Sequence, residues 1–111
     1  MKYLSLILLV GCGLDNKPLG SCVVLPSGFC IDYADTTKAH VLTPDSTRYL
    51  CDLYNGVYNS LDCHSGFPNV NPNSCEFPPK DGVKATFRFY EAPTEAVQQF
   101  CDQAHGKFTG P

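Results

Sequence analysis

Seven cysteines, at positions 12, 22, 30, 51, 63, 75 and 101, constrain this 111-residue chain more than any other feature. A domain of this size buries a modest fraction of its surface, so cross-links commonly supplement the core, and so high a cysteine content belongs to small exported proteins. No two cysteines are nearer than eight positions apart, which argues against the close C-x(2–4)-C pairs of common zinc sites. Three disulfides use an even number of cysteines, so one is left over. Setting Cys12 aside leaves Cys22, Cys30, Cys51, Cys63, Cys75 and Cys101, a set that can pair in many ways.

These six are organised by an internal repeat. "YLCDLYNGVY" (49–58) matches "QFCDQAHGKF" (99–108), aligning Cys51 with Cys101, Asp52 with Asp102, Gly56 with Gly106 and Tyr58 with Phe108. Upstream, "SCVVLPSGFCIDY" (21–33) matches "SCEFPPKDGVKATFRFY" (74–90) more loosely, aligning Cys22 with Cys75 and Tyr33 with Tyr90. The sequence therefore predicts a small disulfide-rich α+β domain over 22–111. It would hold two diverged β-hairpin-plus-helix repeats, at about 22–62 and 75–111, joined by a linker over 63–74.

Each copy has the same grammar. Turn signals, Pro26-Ser27-Gly28 and Pro79-Lys80-Asp81-Gly82, interrupt β-rich segments. Val83, Ala85, Phe87 and Phe89 alternate with Lys84, Thr86 and Arg88, the period of a strand with one wet face. Thr43-Pro44-Asp45 and Pro93-Thr94-Glu95 open helices, and Gly56 and Gly106 stand where a left-handed closing residue is wanted. Thr47, Leu50, Cys51 and Tyr54, like Val97, Phe100, Cys101 and Ala104, form one helical stripe. If both copies cross-link alike, Cys22 bonds Cys51, Cys75 bonds Cys101, and Cys30 is left to Cys63. A rival pairing joins Cys30 to Cys51.

The first residues carry an address. Lys2 precedes the apolar run Leu4–Val10, in the order of an export signal. A spanning helix needs about 20 apolar residues, and this run stops at Gly11. Leu9-Val10-Gly11-Cys12 then resembles the lipobox of bacterial lipoproteins. The resemblance implies that residues 1–11 are a signal peptide and that Cys12 becomes a lipidated N-terminus. Residues 12–21 would be its tether. Acyl chains of this kind hold a protein on a bilayer without a spanning helix. Gly13, where an Asp would favour the inner membrane, implies the outer membrane; an ordinary secreted protein is the alternative. The cysteine pattern over 21–108 is likewise similar to small cysteine-rich envelope lipoproteins, a resemblance that brings no activity with it.

Little points to chemistry. The formal charge is −3 and the eight Lys and Arg are scattered, so the basic footprint of a nucleic-acid binder is missing. His40, His64 and His105 are far apart, Cys63-His64 are merely adjacent, and no phosphate loop or hydrolase motif occurs. The sequence thus predicts no enzyme, cofactor or metal site. One candidate contact region remains: the linker "HSGFPNVNPNS" (64–74), where Phe67, with Tyr54 and Tyr58, could meet an envelope protein or a glycan. Its Asn and Pro equally suit a plain linker. The expectation is a lipid-anchored, non-catalytic interaction or structural module, with a small inhibitor or exclusion factor acting through 64–74 as the alternative.

The intact mass of membrane-fraction protein tests the address: residues 12–111 plus acyl groups and minus six hydrogens is expected. The acyl increment should vanish in Cys12→Ser.

Overall fold

Alternating strands and one-sided helices combine here into a single sheet with both long helices on the same side. The computed structural model describes residues 16–24, 28–37, 39 and 42–111; the signal segment, the lipobox with Cys12, Pro26-Ser27 and His40 lie outside the described residues. In order come β1 (Lys17–Val24), β2 (Phe29–Asp35), α1 (Pro44–Leu53), β3 (Val57–Asn59), the single helical turn α2 (Cys63–Gly66), β4 (Asn73–Glu76), β5 (Val83–Phe89), α3 (Thr94–Gln103) and β6 (Lys107–Thr109). The six strands lie in the order β3-β1-β2-β5-β4-β6, every neighbour antiparallel. The fold is a small α+β domain held by three disulfides.

One row of directly paired residues crosses the whole sheet: Tyr58, Cys22, Ile31, Phe87, Cys75 and Phe108. Opposed residues point to the same face. Cys22 bonds Cys51 on α1 and Cys75 bonds Cys101 on α3, with Cα separations of 5.4 and 5.6 Å, so this row marks the helix-bearing face. Cys30 neighbours Ile31 and therefore points the other way. It bonds Cys63, at a Cα separation of 5.8 Å, and straps the linker across the opposite face. Strand alternation is what separates Cys30 from Cys51 and removes the rival pairing.

Three expectations need correction. The left-handed residues that close the helices are Asn55 (φ 56°) and His105 (φ 63°), not the glycines after them. The Gly56 and Gly106 N–H groups donate back to the Cys51 and Cys101 carbonyls, at 3.2 and 2.8 Å, a Schellman-type closure. Glycine is required at both positions because a Cβ would collide with the Cys22 or Cys75 sulfur. Second, β1 begins at Lys17, inside the stretch expected to be tether. A bulge at Gly20 (φ 95°) turns the buried Leu19 inward, and its carbonyl accepts from the Tyr58 hydroxyl (2.6 Å) and Thr47 Oγ1 (3.1 Å). Third, Tyr33 and Tyr90 are out of phase. Tyr33 lies two residues past Ile31 and Tyr90 three past its partner Phe87, so they face opposite sides.

The Cys30–Cys63 bond closes a loop with a sequence separation of 33. Replacing both cysteines by alanine should cost about 3.5 kcal/mol, read as a lower urea midpoint with the other two disulfides intact.

Candidate functional site

Helix α1 packs on β1 and β3, and α3 packs on β4 and β6. Among the described residues, neither long helix packs on the central pair β2 and β5. Each helix buries only the narrow part of its predicted stripe, Thr47 with Cys51 and Val97 with Cys101. Other stripe members turn inward toward the uncovered strip: Leu50 is partly buried, while Tyr54 and Phe100 remain 46% and 40% exposed.

The result is an open apolar groove of about 840 Å³. Ile31 and Tyr33 from β2, with Ala85 and Phe87 from β5, form its floor; Leu50 and Tyr54 line one side, Phe77 and Phe100 the other. Phe87 meets Tyr54 and Phe77 edge-on, with ring centres 5.9 and 5.3 Å away. Phe77 in turn meets Phe100 edge-on at 6.2 Å. Lys80 and Asp81 lie at one end, on the β4–β5 turn whose Asp81 (φ 53°) and Gly82 (φ 82°) supply the two left-handed residues of a tight hairpin.

Tyr33 is the polar exception on this floor. The residue is 4% exposed, and its hydroxyl has no hydrogen-bond partner among the described residues. Burial, and then the neighbouring Tyr54, push its pKa up to about 12, so it stays a neutral donor.

The opposite face is polar and already paired. Asp32 accepts from the Cys63 backbone N–H (2.8 Å) and from Arg88 Nε (2.5 Å), and Arg88 Nη1 donates to Ser74 Oγ (3.0 Å). Lys84 meets Glu76 at 2.7 Å. Asp62 caps α2 by accepting from the Ser65 N–H and hydroxyl, which hold its carboxyl below the usual range. Phe67 stacks on Tyr90 with ring centres 4.1 Å apart, and burial raises the Tyr90 pKa.

The three aromatic candidates are not brought together. Tyr54 lines the groove. Tyr58 stands on the β3 edge, its hydroxyl bonded to the Leu19 carbonyl and the Arg48 guanidinium 5.0 Å above its ring. Phe67 belongs to the opposite face. Sequence reasoning missed Ile31, Tyr33, Phe77, Ala85 and Phe87 as lining residues; their alternation marked an apolar face without saying which two strands adjoin. Cys63 is in a disulfide, so Cys63-His64 offers no thiol. Among the described residues there is no cluster of three or more His, Cys, Asp and Glu placed to hold a metal ion, and no helix long and apolar enough to cross a membrane. The chain matches no protein family, no curated protein and no solved structure.

Tyr33 titrates at 10.0 when unperturbed and about 12 in the fold. The folded state retains a proton that the unfolded chain releases, so this contribution is full below the lower value and lost as pH rises through the higher. Urea midpoints should fall over that interval, and Tyr33→Phe should flatten the decline.

Proposed function

We propose that this chain is an exported bacterial envelope protein, tethered by lipid on Cys12, whose folded part is a non-catalytic binding module acting through the groove between its helices. The observation that carries the reading is the groove itself: an open apolar floor with aromatic walls, beside an opposite face that carries the Asp32–Arg88 and Glu76–Lys84 ion pairs. Exposed apolar concavities of this size are uncommon on chains that bind nothing. Three disulfides suit an oxidising compartment, and their use of six cysteines leaves Cys12 for the lipid.

The two-copy architecture belongs to the same proposal. Cys22 and Cys75 each bond a helix, Gly56 and Gly106 each pass beside a cystine, and Tyr58 and Phe108 each pair with the strand cysteine. Ile31 and Phe87, which occupy matching places, pair with each other where the halves meet. These correspondences support duplication of one hairpin-plus-helix unit, with the groove formed where the copies adjoin.

A second reading, an inhibitor or exclusion factor acting through 64–74, draws on the pinning of that loop by Cys63 and the exposure of Val70. Photo-crosslinking in cells separates the two. Benzoylphenylalanine at Tyr54 or Phe100 is expected to give a discrete adduct by intact mass, and the same label at Val70 none. An adduct from Val70 alone would favour the inhibitor, and silence at all three positions would overturn the groove reading.

A further inference from the structure

The lining of the groove narrows what can fill it. A peptide would bring backbone N–H and C=O groups over a floor formed by β2 and β5, whose backbones are paired with each other and with β1 and β4, and such groups are costly to bury unpaired. A plain acyl chain would bury its length but leave the Tyr33 hydroxyl as it stands, unpartnered. The groove's lining is mainly apolar, Ile31, Leu42, Leu50 and Ala85 among it, with Ser46, Tyr54, Lys80 and Asp81 as its other polar members. The aromatic side is built from rings already set edge to face, Phe87 with Tyr54 and Phe77, and Phe77 with Phe100. That arrangement presents ring faces and edges to a flat guest.

We propose that the groove binds a small planar apolar molecule carrying a carbonyl-type hydrogen-bond acceptor, its ring system against Phe77, Phe87 and Phe100 and its acceptor on the Tyr33 hydroxyl. The assignment rests on the groove being the binding face. A volume of about 840 Å³ lies within the range of small-molecule sites and suits a guest of two to four fused rings in size. The raised pKa keeps the Tyr33 phenol protonated, so its proton is available to an acceptor. The hydroxyl is closed to water as the side chains stand, so a guest reaches it by displacing side chains of the groove, a nanosecond-scale rearrangement where these are exposed.

The test uses the full folded chain with its disulfides formed and three probes: Prodan, a naphthyl ketone whose emission shifts to the blue in apolar surroundings; ethylnaphthalene, which lacks an acceptor; and dodecanoate. Prodan is expected to bind one to one with a blue shift, more tightly than ethylnaphthalene, and dodecanoate to displace it poorly. Tyr33→Phe should weaken Prodan about tenfold and leave ethylnaphthalene unchanged or tighter. Should that variant fold poorly, the carbon resonance of the Tyr33 ring in tyrosine-labelled wild-type protein must shift on adding Prodan and not on adding ethylnaphthalene. Equal binding of both naphthalenes, unaffected by Tyr33→Phe, or stronger binding of dodecanoate overturns the ligand assignment. The floor-filling variant Ala85→Phe distinguishes that failure from a deeper one: if it abolishes probe binding the groove remains a site for another guest, and if binding persists the groove reading falls as well.

Discussion

Two sulfur bridges seat the helices of this protein over the outer strands of its sheet. Cys22 and Cys75 each sit second from a sheet edge and reach Cys51 and Cys101 on the helix above. The approach is so close that only glycine fits at positions 56 and 106, where the chain leaves each helix beside the cystine. In a domain with so few large aliphatic residues, the half-cystines themselves make up much of what is fully buried, beside Ile31, Thr47 and Asp35. Because each helix is drawn outward to its own cystine, neither covers β2 and β5. The open strip between them is a consequence of where the sulfur atoms stand.

The other face solves a different problem. The chain must travel from β3, at one edge of the sheet, to β4, next to the other, and it does so across this polar side. Asp32 organises the crossing: one carboxylate oxygen takes the Cys63 N–H, the other takes Arg88, and Cys30 bonds Cys63 beside them. Ser21 adds a bond from its hydroxyl to the Leu61 carbonyl at 2.7 Å. The single aromatic ring of the linker, Phe67, lies on Tyr90.

Much of the local structure was legible in the residues. Alternation from Val83 to Phe89 marked a strand with one wet face, and the paired Lys84 and Arg88 occupy that face. Pro44 and Thr94 do open helices, although Thr43 makes no side-chain capping bond. The disulfide pattern is one of the two pairings that the sequence left open, the one in which the two halves cross-link alike. The site was much less legible. Leu50, Tyr54 and Phe100 belonged to a stripe that periodicity alone assigns to the core, yet they flank a groove, because a stripe has a direction but no record of how far the opposing surface extends. Tyr58 looked available for contact until its hydroxyl proved to be bonded to the Leu19 carbonyl, a partner 39 positions away.

Sequence by itself determined the two long helices and the main strands, since helix and strand periods and turn residues are properties of short stretches, and it left the cysteine pairing open between two patterns. Tertiary structure alone decided that β2 and β5 are neighbours, in the register that sets Ile31 against Phe87 and Tyr33 against Ala85. That pairing joins residues more than fifty positions apart, and no short stretch of chain encodes it. It creates the apolar floor and, among the described residues, leaves one phenol hydroxyl on it without a hydrogen-bond partner.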